Sequence, residues 1–361
     1  MVPLVKVRLP PKEVLMPALE DVLYSGVIAE GEAVYNFENT FARHFGLPRV
    51  LGMSSGTAAL HAALILAGVG RGDEVISTPM TAEPTNLAIL HAGATPSWAD
   101  VDPRDGTIEP NSVAERITSR TKAIMVVHYA GYPARMAAII EIARKAGIPV
   151  IEDCAHALGA SYDSMPVGTV GDFGVFSFQA IKHMTTVDGG ALTMKKESSI
   201  SAAKRFRWFG MLKGVPRSEV DIHSIGYKYN MHNVAATIGL AQLDSIDLAV
   251  ARHRANGQFY DREFAHMPGF RPAQFDPLAR PSYWIYTLLC DDAQGAERRL
   301  SEIGVAASKL HKPNNTHSIF KPILRALPGL ESFYSRLLHI PCGWWVDDET
   351  RDAIVEALRK G

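Results

Sequence analysis

Residues 136–155 read MAAIIEIARKAGIPVIEDCA, and this stretch decides the fold. Four apolar residues recur in it at helical spacing, and the Gly147 that follows them is a residue type that commonly ends a helix; the four are Met136, Ile139, Ile140 and Ala143. The apolar run from Ile148 to Ile151 then predicts a buried strand. A helix that leads into a buried strand is the repeating unit of a parallel sheet with helices on both faces.

The same alternation extends over residues 50–195. Apolar spacing predicts further helices at 56–67 and 84–92, and further strands at 74–77, 95–99 and 121–127. Two short strands then follow almost directly on each other, GVFSF from Gly174 and GGALTM from Gly189. We therefore predict an α/β fold whose large domain contains a mostly parallel sheet covered by helices.

The pattern changes in the carboxy-terminal part of the chain. The sequence predicts a long helix from about His232 to Phe264, a strand from Tyr283, and helices near 294–303 and 348–359. This mixture is typical of a smaller α+β unit. We place the large domain at residues 1–244 and the small carboxy-terminal domain at residues 245–361.

Composition limits the classes of function. The chain has 361 residues, of which 47% are apolar and 21% charged, and this excludes disorder as its main state. The 37 basic and 38 acidic residues give a formal net charge of −1, so no basic field favours nucleic acid or an anionic membrane. An anionic ligand must therefore be held by local groups.

Cysteine and histidine usage gives no sign of a metal site. Cys154, Cys290 and Cys342 are few and far apart, which argues against a disulfide framework or a Cys-rich zinc site. The histidines are not paired at i, i+4, and we interpret those at 128, 183, 311 and 317 as satisfied or solvent-exposed. No signal peptide or run of about 18 apolar residues is found, so we expect a cytoplasmic protein without a metal.

A first candidate group for a functional site is Ser55, Gly56 and Thr57, where a strand leads into a helix. Free backbone N–H groups and hydroxyls at a helix N-terminus bind phosphate, but an ordinary helix cap explains the same residues. The spacing matches neither a Walker loop nor the dinucleotide-binding G-x-G-x-x-G pattern.

Two further groups follow buried strands. Glu152, Asp153 and His156 come after the strand that ends at Ile151, at the edge of a parallel sheet where ligands bind. Asp153 could hold a proton on a heterocycle nitrogen or orient a histidine, whereas we interpret Glu152 as a solvated acid. Lys182 follows GVFSF, and partial desolvation would make its amine a nucleophile, although a surface lysine is the commoner case.

The order of these groups resembles the fold-type I pyridoxal-phosphate sugar aminotransferases of the DegT/DnrJ/EryC1/StrS family. The similarity extends over nearly the whole chain, and it is carried by SSGTAAL at 54–60, IPVIEDCAHALGA at 148–160, FSFQAIKHMTTVDGG at 176–190 and YNMHNVAATIGLAQL at 229–243. It implies pyridoxal 5′-phosphate (PLP) as the cofactor and a homodimer with shared active sites.

The resemblance also implies a role for each candidate residue. Lys182 would be linked covalently to the cofactor and would move the substrate proton, and Asp153 would pair with the pyridine nitrogen. His156 would lie beside the phenolic oxygen, and Ala155 flat against one face of the ring. The phosphate would be held by Ser55, Gly56, Thr57 and Ser177, and by Asn230 of the partner subunit.

Two segments depart from the family pattern. The family usually has an aromatic residue after the Thr of its S-P-x-T segment to stack on the cofactor, but here Ala82 follows Thr81. We expect the open space either to be filled, with His156 the first candidate and Trp208 the second, or to admit substrate. Residues 308–317 also differ from the usual H-Y-x-P-x-H form, which indicates a specialised substrate pocket.

Together these observations predict an aminotransferase that moves an amino group from an amino acid, by resemblance L-glutamate, to a keto-sugar that is nucleotide-linked. Two alternatives stay open: a PLP-dependent sugar dehydratase, which is a lyase, and a non-catalytic PLP-binding regulatory protein. Dehydratases that resemble this chain carry His at the lysine position, whereas here Lys182 is present.

Overall fold

The structure is a computed structural model, and it describes residues 1–320 and 325–360. Its helices are α1 (Lys12–Tyr24), α2 (Glu32–Phe45), α3 (Gly56–Leu66), α4 (Glu83–His91), α5 (Pro110–Glu115), α6 (Met136–Ala146), α7 (Ser199–Phe206), α8 (Asn233–Phe264), α9 (Ala293–Glu302), α10 (Pro328–Arg336) and α11 (Asp348–Arg359). Its strands are β1 (Val50–Met53), β2 (Glu74–Ser77), β3 (Thr95–Trp98), β4 (Thr121–Val127), β5 (Val150–Asp153), β6 (Ser161–Tyr162), β7 (Met165–Pro166), β8 (Phe173–Ser177), β9 (Gly190–Met194), β10 (Phe270–Pro272), β11 (Ala279–Arg280), β12 (Tyr286–Cys290) and β13 (Leu337–Ile340).

A seven-stranded sheet in the order β1-β9-β8-β5-β4-β2-β3 forms the centre of the large domain. Its neighbouring strands are parallel from β3 to β8, and β9 runs antiparallel to both β8 and β1. Alternate side chains of β4 enter two different apolar cores, Ala123 and Met125 towards α3 and α4, and Ile124 and Val126 towards α5 and α6. The predicted mostly parallel sheet with helices on both faces is confirmed.

The register of the parallel strands brings three strand ends to one edge of the sheet. Asp153, the last residue of β5, is paired with Val127 at the end of β4 and with Val175 of β8. Ser177 ends β8, and α3 begins near the same edge because it packs against the sheet after β1. This edge is where ligands of open parallel sheets bind.

The carboxy-terminal part contains its own antiparallel sheet, in the order β10-β12-β13, which shares an apolar core with α9, α10 and α11. The helix α8 leads into it and continues through residue 245 without interruption, and the domain boundary there remains a prediction. By length and composition α8 could cross a membrane, but 56% of its most apolar window is buried inside the protein, as in a core helix.

The strand predicted from Tyr283 begins instead at Tyr286, so that prediction is corrected. Tyr283 has a φ of +49°, a left-handed conformation that a strand does not accommodate. Its ring packs against Gly257 of α8, where a Cβ would collide with it. The segment before β12 is therefore a turn shaped by tertiary packing, which the alternation of apolar residues could not show.

Candidate active site

A cavity of about 360 Å³ lies at the carboxyl ends of the parallel strands, beside the N-terminus of α3. Eight of the nine site residues predicted from the sequence line it: Ser55, Gly56, Thr57, Asp153, Ala155, His156, Ser177 and Lys182. The ninth, Asn230, does not line the cavity of its own chain, and its side chain bonds to Lys228 and to the backbone of Met231.

The N-terminus of α3 forms one wall of this cavity. Ser55 caps the helix, with its Oγ accepting a hydrogen bond from the N–H of Ala58 at 3.0 Å. The N–H groups of Gly56 and Thr57, in the first turn, have no acceptor within the helix. A Cβ at Gly56 would lie 2.9 Å from Cβ of Ser177, so only glycine lets the β8 hydroxyl approach this turn closely. The arrangement fits a phosphate group.

Asp153 lines the same cavity at the end of β5, and only 3% of its surface is exposed. Its Oδ2 accepts a hydrogen bond from Oγ1 of Thr85 at 2.7 Å, and its Oδ1 accepts one from the N–H of Ala155 at 3.1 Å. Burial raises the pKa of the Asp153 carboxyl, and the Thr85 hydrogen bond opposes that change. A protonated ring nitrogen beside it would compensate for the lost solvation.

Lys182 lines the same cavity, and the alternative interpretation of a surface lysine is wrong. Burial lowers the pKa of its amine to about 7, and the charge of Asp153 opposes this change only in part. Neutral amine and ammonium are therefore both populated near neutral pH. A neutral amine is the form that attacks a carbonyl carbon or accepts a proton.

His156 is a neutral hydrogen-bond donor in this cavity. Its Nδ1 accepts from the N–H of Ala130 at 3.4 Å, so the proton of the neutral ring is on Nε2. Burial, assisted by the charge of Lys182, lowers the pKa of His156 well below its usual range. The Nε2 atom is buried and has no hydrogen-bond partner among the residues that the structure describes. An acceptor atom of a bound molecule would satisfy it.

His311 brings a second imidazole to the cavity from the carboxy-terminal part of the chain. Its ring is parallel to that of His156, with the two centroids 5.7 Å apart. Burial and the Lys182 charge lower the pKa of His311 to about 4, and its Nε2 finds no partner within residues 1–320 and 325–360. The interpretation of His311 as a satisfied or exposed histidine is therefore wrong.

Glu152 is fully buried, and the interpretation of a solvated acid is also wrong. Its Oε2 accepts hydrogen bonds from Nε2 of His128 and from the N–H of Gly168, both at 3.0 Å, and its Oε1 accepts one from the N–H of Gly171 at 2.7 Å. Nδ1 of His128 accepts from the N–H of Ala134, which fixes the tautomer that donates to Glu152. Glu152 thus connects the loop before β8 to β5, the strand that ends at Asp153.

We expect Glu152→Gln to destabilise the protein without changing the cavity lining. The amide nitrogen would lie against the N–H donor of Gly171 in one orientation and against those of Gly168 and His128 in the other, and a buried hydrogen bond to a charged group contributes about 1.5–3 kcal/mol. Urea unfolding should show a fall of about 3 kcal/mol or more in the free energy of unfolding. Glu141→Gln on the exposed face of α6 is the matched control and should leave it unchanged. Equal stability of the two variants would contradict the role of Glu152.

The distances between His128, Glu152 and Cys154 would allow a metal ion, since their ligand atoms lie within 4.8 Å of one another. Both carboxylate oxygens of Glu152 already accept hydrogen bonds from the protein. We assign no metal to this cluster, and the absence of a metal cofactor remains a prediction.

Ala82 lines the cavity at the position where the sequence pattern suggested an aromatic residue. Trp208, the second candidate to cover that space, does not line the cavity, and the ammonium groups of Lys213 and Lys228 lie 4.5 and 4.1 Å from its ring centroid. His156 does line the cavity, but one face of its ring stacks on Trp284. Which group covers a bound ring beside Ala82 therefore remains a prediction.

Three residues with contacts in the site were missed at the sequence level: Thr85, Trp284 and His311. Thr85 had no helical-spacing signal, because Thr81, whose hydroxyl lies 2.9 Å from that of Thr85, precedes the first residue of α4. Trp284 had none, because it is more than 100 residues away from Asp153 and Lys182 along the chain. His311 lies in the segment 308–317, whose departure from the family form indicated a specialised pocket without singling out this residue. Only the fold brings them together.

Comparisons with known proteins agree with this geometry. The model of the DegT/DnrJ/EryC1/StrS aminotransferase family matches residues 12–359. The spore coat polysaccharide biosynthesis protein SpsC of Bacillus subtilis (strain 168) is 31% identical over 357 residues, which cover 94% of this chain and 92% of SpsC. The solved structure of the sugar aminotransferase CalS13 from Micromonospora echinospora is similar over 100% of both chains, with a TM-score of 0.96 and 34% identity.

A third similar protein, Spr1654 from Streptococcus pneumoniae, bears on the cofactor. It has been solved in a PLP form, with a TM-score of 0.88, 26% identity and coverage of 99% of this chain and 98% of that one. It has also been solved in a form with pyridoxamine phosphate (PMP), the amino form of the cofactor, with a TM-score of 0.89.

Proposed function

The chain belongs to the DegT/DnrJ/EryC1/StrS aminotransferase family, and on this premise we propose that it transfers the amino group of L-glutamate to a keto-sugar of the nucleotide-linked class. The observation that carries the proposal is that a half-buried lysine, a buried aspartate and a helix N-terminus line the same cavity. The three free cysteines are all buried, which supports our further proposal that the protein works in the reducing cytoplasm.

The family depends on PLP, and the residues of this cavity fit that cofactor. The first turn of α3 and Ser177 would hold its phosphate, and Asp153 its ring nitrogen. The unpartnered Nε2–H of His156 would donate to the phenolic oxygen. When bound, PLP supplies a carbonyl carbon that takes up an amino group and a ring that accepts the electron pair of the substrate C–H bond.

The side chains of the cavity divide the remaining work. The amine of Lys182 would anchor the cofactor, remove the proton from the α-carbon of the donor, and return a proton in the second half of the reaction. Asp153, held by Thr85, would place its carboxylate beside the ring nitrogen and hold a proton there. His156 and His311 stay neutral near pH 7 because burial lowers the pKa of both, so they offer hydrogen bonds without adding positive charge.

The rival functions make different demands on Lys182. A dehydratase of the kind that resembles this chain has no lysine at that position, whereas here the amine faces Asp153 and the α3 N-terminus. A regulatory PLP-binding protein would bind the cofactor and yet convert no amino donor. Amino transfer is better supported than either alternative, because it needs a residue that both anchors the cofactor and moves a proton, and Lys182 can do both.

The acceptor is tested by a screen of keto-sugar nucleotides. The protein is first converted to its amino form with L-glutamate and then freed of excess donor. An acceptor should return the absorbance of the PLP form and yield an amino-sugar nucleotide detectable by mass spectrometry. Free keto-sugars and cyclic ketones serve as the comparison set, and a response confined to them would contradict the nucleotide-linked class.

We further propose a homodimer that shares its active sites. Four large apolar side chains are exposed in the stretch of chain between residue 187 and Asn230, namely Val187, Phe209, Ile222 and Ile225. Exposed apolar groups in one region are typical of a subunit interface. A symmetric dimer would present two such interfaces and two equivalent cavities.

Mixing the inactive variant Lys182→Ala with the impaired variant Asn230→Asp tests the shared sites. Asn230→Asp is expected to weaken activity at least about tenfold, because a carboxylate would face the cofactor phosphate of the other subunit. Mixed with Lys182→Ala, it should recover about a quarter of wild-type activity, since half of the dimers then hold one intact site out of two. Lys182→Ala mixed with the double variant Lys182→Ala/Asn230→Asp is the control without recovery. A fully active monomer would contradict the proposal.

The open space at Ala82 gives a further prediction. We expect Ala82→Phe to overfill the cavity and lower activity, and His156→Ala to weaken PLP binding by about tenfold through the loss of a charge-assisted hydrogen bond. Cofactor dissociation constants measured by fluorescence check both effects, with the exposed His223→Ala as the matched control. Tighter PLP binding with full activity in Ala82→Phe, and no change in His156→Ala, would show that the face is simply empty.

A further inference from the structure

Trp284 lies directly behind Lys182 and does not line the cavity. It belongs to the turn before β12 in the carboxy-terminal part, and only 2% of its surface is exposed. Its indole Nε1–H donates to the carbonyl oxygen of Ile181 at 2.9 Å. The Nζ atom of Lys182 lies over the indole ring, 4.0 Å from the centroid. One side chain therefore contacts both the backbone that precedes the lysine and its terminal ammonium.

The same indole supports a second group of the site. The ring of His156 stacks on it with the centroids 4.1 Å apart and the planes at 18°. His156 follows β5 and Lys182 follows β8, so the indole contacts side chains from two connections of the sheet. Its own backbone lies in a third segment of the chain.

We propose that Trp284 is a positioning residue that holds the amine of Lys182 and the ring of His156 in register for the reaction. The role of this positioning in catalysis rests on the proposed function, but the contacts of Trp284 can be tested without any substrate. The indole N–H fixes the backbone before Lys182, and the ring face fixes the ammonium. The stacking of the His156 ring on the indole fixes the direction of the His156 Nε2–H.

The groups around Lys182 set its pKa, and the indole of Trp284 is one of them. Asp153 favours the ammonium form of Lys182, whereas burial of the amine opposes it. The nearby imidazoles of His156, His183 and His311 add no positive charge at neutral pH, because burial lowers the pKa of each. The negative face of an aromatic ring attracts a cation, most strongly when solvent is excluded. The indole therefore favours the charged form, and a weaker ring face must lower the pKa of Lys182.

The test measures the pKa of Lys182 in the full-length protein freed of cofactor. Trace labelling with acetic anhydride across pH, read peptide by peptide with mass spectrometry, gives the titration of this one amine. We expect Trp284→Met to lower the pKa of Lys182 by about one pH unit. Phe264→Leu, at another fully buried aromatic residue of the same core, is the matched control and should not change it.

A series of fluorinated tryptophans placed at position 284 keeps the shape of the side chain, so it guards against a Met variant that fails to fold. Each added fluorine weakens the negative face of the ring, and the pKa of Lys182 should fall stepwise along the series. A pKa that does not change along the series would overturn the inference. So would an equal fall in Phe264→Leu.

The holoenzyme separates this inference from the proposed function. Trp284→Phe keeps a ring face but loses the N–H that bonds to Ile181, so kcat with L-glutamate should fall about tenfold while KM stays within about twofold. An unchanged kcat would show that the hydrogen bond from Trp284 to Ile181 does not position Lys182. If no amino donor is converted even by wild type, the proposed function fails, while the labelling series still decides the contact between Trp284 and Lys182.

Discussion

Lys182→Ala is expected to lose at least about 10³-fold in turnover with L-glutamate, because one amine serves as covalent anchor and as proton carrier. The structure supports both roles, since the amine lines the cavity and burial lowers its pKa to about 7. Turnover is measured by the release of 2-oxoglutarate. Borohydride reduction, which traps a linkage between the cofactor and a lysine, is measured on the same protein and should find none in the variant.

Lys145→Ala is the matched control for this change. Lys145 is exposed on α6 and pairs with Glu141 on the surface, so its loss should alter neither turnover nor trapping. If reduction still labels Lys182→Ala at an equal level on another lysine, the assignment of Lys182 is wrong.

Asp153→Asn is expected to lower kcat by about 10²–10³-fold, the size of effect seen when one electrostatic group of an active site is removed. The amide has nearly the same shape as the carboxyl but carries no charge to hold a proton on the ring nitrogen. The oxygen that accepts from Thr85 can be kept and holds the side chain in place, although the hydrogen bond from the N–H of Ala155 to the other oxygen is lost. The drop in kcat should therefore occur at full cofactor content, which absorbance measures.

Thr85→Val separates the charge of Asp153 from its orientation. It removes the hydroxyl that bonds to Oδ2 and retains the carboxylate, so we expect a loss of only about tenfold, equivalent to about 1.4 kcal/mol. If Asp153→Asn retains wild-type kcat, or falls no further than Thr85→Val, the charge of Asp153 is not the property that matters.

Local patterns in the sequence were sufficient for most of the large domain. The helix from Met136 ends at Gly147 as expected, and that glycine has a φ of +68° in the structure. The long helix begins after His232, whose ring caps it by accepting from the N–H of Ala235. Such features depend on neighbours within one or two turns, which the sequence displays directly.

Features that depend on distant parts of the chain could not be predicted. Glu152 is buried because His128, Gly168 and Gly171 supply its hydrogen bonds, and these residues lie 16 to 24 positions away. The turn at Tyr283 depends on packing against α8. Neither dependence leaves a periodic signal.

The candidate site was predicted in part for the same reason. Asp153 follows a buried strand, so its place at the ligand-binding edge of the sheet could be predicted from the parallel topology, whereas Ser177, which ends β8, was implied only by the family resemblance. The support behind Lys182 comes from Trp284, in the carboxy-terminal part. Its contribution required the three-dimensional structure.

The central claim is that this cavity transfers an amino group through Lys182, and one measurement tests it most directly. The PLP-loaded protein is mixed with excess L-glutamate without any acceptor, and the 2-oxoglutarate formed is counted per chain. The account predicts one equivalent per chain for wild type, with conversion of the cofactor to its amino form, and none for Lys182→Ala. Bound PLP with no 2-oxoglutarate from wild type, or an equal yield from Lys182→Ala, would contradict it.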